Sequence, residues 1–366
     1  MGIVLKVISF ITSLMVFVGS LGLGIGSAEP VELTQVKNVI FMIGDGMGFN
    51  SIEKAKKESG REEFALDTFK VCGQSETRSA SSAVTDSAAG GTALATATRV
   101  NNGNIGVYAY DMLNYVSHPE NLCELAISQG KLAGVITTDS TSGATPASFS
   151  AHTSDRGNEE PITSQQVHSD LTLVWGGKTA TYTANLGKVN GFKTITNKAE
   201  MDALTEGSRS FAQFSAETWH EKALENMPTL SEMTSKAIDL LDDDKDGFFL
   251  MVEGAHIDKN SHKKNGEGMI DALLSFDDAI GVALEYAKTH KDTLVLVTAD
   301  HETGGITLEN GSYVYTTGSH TGKNVPLFVY GCNNFVGNGE AIENREVSRR
   351  VAICMGENNF PIRVAV

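Results

Sequence analysis

Continuous apolar runs alternate along this chain with segments of helical period. Residues 36–43 (VKNVIFMI) read as a buried strand that ends in the turn Gly44-Asp45-Gly46-Met47-Gly48. The turn is glycine-rich, but the third glycine of a dinucleotide fingerprint would fall on Phe49, so that motif fails. Further strands are expected at 132–138, 171–174, 248–252, 293–298 and 325–330. Helices are expected at 229–241, 267–287 and 347–355. The first of these is well signalled: Pro228 precedes it, Thr229 and Glu232 can form a capping box, and Leu230, Met233, Ala237 and Leu240 make an apolar stripe. A further helix should open at Asp86-Ser87, where good capping residues meet an alanine-rich run with Leu94. Apolar strands joined through helices imply an α/β fold: a three-layer α/β/α arrangement around a central, mostly parallel sheet. Residues 157–227 lack a strong period and read as an insertion or lid.

The first 28 residues carry Lys6, an apolar run at 7–18 and the small residues Gly26-Ser27-Ala28, the pattern of a secretory signal peptide. That leaves 29–366 as one catalytic domain and implies a periplasmic or secreted protein with no membrane attachment after cleavage. Four cysteines, Cys72, Cys123, Cys332 and Cys354, permit disulfides without requiring any. Asp and Glu outnumber Lys and Arg by 45 to 29, a formal charge of −16, which argues against nucleic acid as a specific partner. An anionic substrate would need metal ions to invert the local field.

Candidate chemistry collects at the C-terminal ends of the expected strands. Asp45, Glu253, Asp300 and His301 each follow an apolar run, and Thr145 lies a short loop beyond another. In open α/β sheets ligands bind at those ends. Three carboxylates gathered there beside an imidazole would repel one another without cations, so together they read as a metal cluster. Asp258 and His262 share one helical face and, with His320 in the small-residue loop Gly318-Ser319-His320-Thr321-Gly322, suit zinc. Asp300 with His301 offers a second mixed set that Asp45 and Ser87 can complete. Asp45, Glu253 and the Thr145 hydroxyl make an all-oxygen set better suited to magnesium. Asp242, Asp244, Asp246, Gly247 and Glu253 also match an EF-hand loop, which makes a calcium-binding protein the rival from another class. The β-rich run after Gly247 speaks against it, because an EF-hand loop enters a helix.

With IGDGMG at Asp45, VTDSAAG at Ser87, ATP at Thr145, AHTSDR at Arg156, EGAHIDK through Lys259, TADH at His301 and HTG at His320, the chain resembles the bacterial alkaline phosphatases. The resemblance implies a phosphate monoester hydrolase of broad substrate range, working at alkaline pH through a phosphoserine on Ser87. It implies zinc at Asp258, His262 and His320, a second zinc at Asp45, Asp300 and His301, and magnesium at Asp45, Glu253 and Thr145. Arg156 would clamp phosphate, Lys259 would reach it through water, and the protein would be a homodimer. One position departs from the family: two residues before Thr145, where many members carry Asp or His, stands Gly143. The expectation is a less well oriented third metal site. Within enzymes, a phosphodiesterase of the same superfamily is the alternative.

Overall fold

The computed structural model describes residues 32–108, 117–214, 226–242 and 245–365. The expected signal peptide, 1–28, lies outside the described residues. The strands β1 (Asn38–Gly44), β2 (Val71–Glu76), β3 (Leu132–Ser140), β4 (Leu173–Gly177) and β5 (Lys193–Ile195) belong to one sheet. So do β6 (Ser210–Ala212), β7 (Phe248–Gly254), β8 (Thr293–Thr298), β9 (Val325–Tyr330) and β10 (Ala341–Glu343). Their spatial order is β10-β2-β9-β8-β1-β7-β3-β4-β6-β5. The central pairings of β1 with β7 and β8, and of β3 with β4 and β7, are all parallel. Strand β9 alone runs against both of its neighbours.

Besides two short helices at Ala184–Val189 and Lys198–Asp202, the α-helices are α1 (Phe49–Glu58), α2 (Ser87–Thr96), α3 (Leu122–Ser128), α4 (Ala144–Ser148) and α5 (Glu159–His168), then α6 (Leu230–Leu241), α7 (His256–His262), α8 (Gly266–Thr289) and α9 (Asn344–Cys354). Alternation along the strands divides them between two cores. On β1, Ile40 and Met42 pack with the stripe of α6 and with Leu273, Phe276 and Ile280 of α8. Val39, Phe41 and Ile43 face Leu94 of α2, Leu125 of α3 and Val351 of α9. Both faces are covered, as the apolar strands require. The expected capping box opens α6: Glu232 N donates to Thr229 Oγ1 at 3.2 Å, and Thr229 N donates to Glu232 Oε2 at 2.8 Å.

The structure bears on three points of the sequence reading. Within 157–227, strands β4, β6 and β5 carry the sheet to its edge, so the weak period reflects short edge strands rather than an absence of structure. The EF-hand reading fails. Residues Phe248–Gly254 form a fully buried central strand, Glu253 lies inside the sheet end, and Asp242 caps α6 and accepts from the Tyr286 hydroxyl; Asp244 is outside the described residues. The described cysteines are all free thiols, with Cys332 Sγ and Cys354 Sγ 3.9 Å apart.

Candidate active site

Helix α2 begins where the sequence placed it, one residue further on in its cap. Asp86 is the N-cap, its Oδ1 accepting from Ala89 N at 3.0 Å, and Ser87 is the first helical residue, buried to 5 % exposure. The other Asp86 oxygen accepts from Gly103 N at 3.0 Å and from Arg156 Nη1 at 3.1 Å. One carboxylate therefore fixes the start of the serine helix and the arginine together. The Ser87 hydroxyl stands 3.1 Å from His301 Nε2.

The strand ends supply the first half of a candidate metal centre. Asp45 follows β1, and Asp300 and His301 follow β8. Phe276 of α8 packs against the glycines that end β1 and β7: a Cβ at Gly44 would stand 3.0 Å from its ring, and one at Gly254 2.8 Å. Small residues there let the helix close on the sheet beside Asp45 and Glu253. The turn then bends back at Gly46 (φ +74°), whose N–H donates to Asp300 Oδ1 at 3.3 Å. His301 Nε2 lies 3.4 Å from Asp45 Oδ1 and 3.3 Å from Asp300 Oδ2, and both of these buried oxygens lack a hydrogen-bond partner. Burial, together with Asp300 and Asp258, pushes the Asp45 carboxyl well above the carboxylate range. Burial and Asp258 push Asp300 up to about 6, and burial pushes His301 down to about 4.

The second half comes from α7 and the loop before β9. His262 Nε2 lies 3.3 Å from Asp258 Oδ2, and His320 Nε2 lies 3.6 Å from Asp258 Oδ1. Each ring turns its Nδ1 to a backbone carbonyl, His262 to Gly318 O at 2.8 Å and His320 to Thr85 O at 2.9 Å. A carbonyl only accepts, so both Nδ1 atoms donate, and the two Nε2 atoms, 3.1 Å apart, are the ones turned toward Asp258. Thr303 Oγ1 donates to Asp258 Oδ1 at 2.5 Å. The hydrogen bond with Asp258 raises His262 to about 9.

Glu253 and Thr145, each 1 % exposed, form the remaining group. Glu253 is pushed up to about 8 by burial and the nearby Asp139, against hydrogen bonding from Thr137 and Thr145. Asp139 is a residue the sequence reading missed, and it stands against Gly143. A Cβ on Gly143 would meet Asp139 Oδ2 at 2.7 Å. The carboxylate of Asp139, four residues upstream at the end of β3, fills the room that a side chain at 143 would take, and it is ion-paired with Lys259. Lys259 thus sits on Asp139. The signal in sequence is slight: the one charged residue in the polar run Thr137-Thr138-Asp139-Ser140.

These donor sets fit divalent cations. Unpartnered carboxylate oxygens on Asp45 and Asp300, two Nε2 atoms turned toward one carboxylate, and carboxyls driven toward their neutral forms all describe a centre that lacks positive charge. The six ligand residues of the two mixed sets converge in groups of three, with ligand atoms within 4.8 Å of one another. All the expected site residues are brought to one edge of the sheet except that Arg156 and Lys259 reach it through Asp86 and Asp139.

The alkaline phosphatase family model matches residues 36–173 and 175–353. Alkaline phosphatase H of Pseudomonas aeruginosa is 32% identical over 341 residues, covering 75% of this chain and 71% of the relative. Alkaline phosphatase of Escherichia coli is 31% identical over 333 residues, covering 72% and 70%. Among solved structures, the alkaline phosphatase from the Antarctic bacterium TAB5 superposes with a TM-score of 0.77 at 32% identity, over 89% of this chain and 100% of that one. A variant of the TAB5 protein, 33% identical with the same coverage and TM-score, has Mg bound in its M3 site. On the match along nearly all of the described chain and the ligand sets at its strand ends, the chain belongs to the alkaline phosphatase family.

Proposed function

We propose that Ser87 attacks the phosphorus of a phosphate monoester and is transiently phosphorylated. As a member of this family the chain is a phosphomonoesterase. Asp258, His262 and His320 would hold one zinc, Asp45, Asp300 and His301 a second, and Asp45, Glu253 and Thr145 a magnesium. Bound there, the ions supply Lewis acidity that lowers the pKa of the serine hydroxyl and offsets charge on the departing alcohol. The observation that carries the assignment is the placement of Ser87 Oγ 3.1 Å from His301 Nε2, at a helix start whose free N–H groups favour an anion.

The chain's own residues then divide the work. The Ser87 oxygen bonds to phosphorus as the ester P–O bond breaks, and the alcohol leaves with a proton. Water attacks the phosphoserine from the vacated side, restoring the serine and releasing phosphate. Arg156, aimed by Asp86, offers a planar pair of donors to the phosphoryl oxygens, and Lys259, aimed by Asp139, adds a second positive charge. Because these contacts are made to the phosphoryl group, the alcohol is free to vary and a broad range of monoesters is expected. Residues 1–28 act as a signal peptide, 29–366 form the catalytic domain with an insertion at 157–227, and the protein works as a periplasmic or secreted homodimer. The leader pattern and the family resemblance support these points. No helix among the described residues is long and apolar enough to cross a membrane.

The test is hydrolysis of p-nitrophenyl phosphate and of its diester from neutral to strongly alkaline pH, on wild type and Ser87→Ala, before and after EDTA and with zinc and then magnesium restored. Monoesterase activity that is alkaline, chelator-sensitive and nearly abolished in Ser87→Ala is expected. Faster turnover of the diester, or a Ser87→Ala protein that keeps its rate, overturns the assignment.

A further inference from the structure

Among the described residues, three groups of His, Asp or Glu bring ligand atoms within 4.8 Å of one another. Two of them are the halves of the catalytic centre. The other joins His118, Glu124 and His152, which catalysis does not use. We propose that these three residues form an additional divalent-metal site, of the borderline kind that takes zinc, bracing the loop that carries Arg156.

Each ligand is held from behind. His118 lies in the short strand Ser117–Pro119, which pairs antiparallel with Arg363–Ala365. Glu124 is the third residue of α3: its Oε2 accepts from Asn121 N at 2.9 Å in the capping box, which leaves Oε1 for the site. His152 is clamped by Gln165, which accepts from His152 N at 2.8 Å and donates to His152 O at 2.9 Å.

The polarity of the rings is set by the backbone. His152 Nδ1 faces Gly106 O at 2.7 Å, and His118 Nδ1 faces Pro119 O at 3.3 Å. Each Nδ1 is therefore a donor, and each Nε2 is the ring atom turned away from the backbone. His152 Nε2 stands 2.8 Å from Glu124 Oε1, so the two atoms a cation would take already point at one another. The same arrangement, Nδ1 on a carbonyl and Nε2 toward a carboxylate, marks His262 and His320 in the catalytic centre, and metal-ligating histidines are commonly oriented in this way. The rings of His118 and His152 stack with centroids 3.6 Å apart and planes 27° apart, a poor geometry for two imidazolium ions. Glu120, more than nine-tenths buried, adds a carboxylate that repels Glu124 and whose Oε2 has no partner. Two imidazoles with a carboxylate match the mixed nitrogen and oxygen sets that bind zinc.

The site is coupled to Arg156 through the chain. Thr153, next to His152, bridges to Ile105, and Arg156 N donates to Gly103 O at 2.8 Å. Metal at His152 would pin the strip from which the arginine projects.

The experiment measures zinc per chain by mass spectrometry on wild type and His118→Ala, after equilibration with buffered free zinc and excess magnesium, together with the rise in melting temperature that zinc gives each protein over its own metal-free form. His118→Ala keeps the α3 capping box and the His152–Gly106 contact, and His118→Gln serves if the alanine variant is insoluble. Wild type should hold one zinc more than the variant and gain more from zinc, with the rate on p-nitrophenyl phosphate retained by both. Equal zinc content, or a wild type that holds only the ions of the catalytic centre, overturns the proposal and leaves a His–Glu ion pair.

Discussion

Lys259 is ion-paired with Asp139, and the same carboxylate occupies the space that a side chain on Gly143 would need. A carboxylate from four residues upstream thus stands where a side chain at 143 would stand. Asp139→Ala should therefore weaken magnesium binding by roughly 10–100-fold, the usual cost of removing an outer-shell partner. Titration calorimetry with magnesium on the zinc-loaded protein measures it. Asp139→Ala with Gly143→Asp, which fills the vacated room, should recover most of the affinity. Gly143→Asp alone should not, because its Cβ would meet Asp139 Oδ2 at 2.7 Å.

The metal-free protein should lose stability as pH rises from about 6.5 to about 9. Glu253 keeps its proton to about 8 when folded, against 4.5 in its ordinary state, and His262 keeps its proton to about 9, against 6.5. In that window the folded chain binds more protons than the unfolded one, so unfolding becomes easier as pH climbs. His301, lowered to about 4, works in the opposite direction but only below 6.5, where the unfolded imidazole gains its proton. Denaturant titrations of EDTA-stripped protein across the window check the slope. Zinc and magnesium, bound to the deprotonated ligands, should abolish or invert it.

Arg156→Lys should raise KM for p-nitrophenyl phosphate by on the order of 10-fold and leave a smaller loss in kcat, since lysine keeps the charge but not the two-pronged donor. Asp86→Asn isolates the positioning role. Asparagine can still cap Ala89 N, so the helix survives, while the charged partner of Arg156 is gone. Its effect should appear in KM and in phosphate inhibition, with the melting temperature nearly unchanged.

Gly46→Ala should cost roughly 1–3 kcal/mol of stability and weaken zinc binding with it. The residue sits at φ +74°, and a Cβ there would lie 2.9 Å from Asp258 Cα. The strain falls between Asp45 and Asp258, one ligand from each half of the centre. Thermal unfolding and zinc retention after dialysis measure the two effects on the same samples.

The residues that follow long apolar strands were legible in sequence. Asp45, Glu253, Asp300 and His301 could be placed because the runs before them are fully buried and end in short turns. The Thr229 cap was legible because a capping box is a local pattern. Strand β2 was not: its buried residues alternate with half-buried ones, and the run VCGQSE carries little apolar signal. Strands β5 and β6 span three residues each, too short for any period to show. Asp139 and the pairing of His118 with His152 depend on which distant segments meet, which spacing along one chain does not encode.

The reversal of β9 settles how His320 arrives. Its neighbour β8, and β1 beyond that, deliver their ligands after the strand has been crossed, at the end where the chain exits. A strand laid in the opposite sense has its entrance at that edge, so the ligand must precede it, and His320 comes just before Val325–Tyr330. Function along this chain is thus read forward from every ligand-bearing parallel strand and backward from the one that is turned around. Flipping that single strand would carry its histidine to the far side of the molecule.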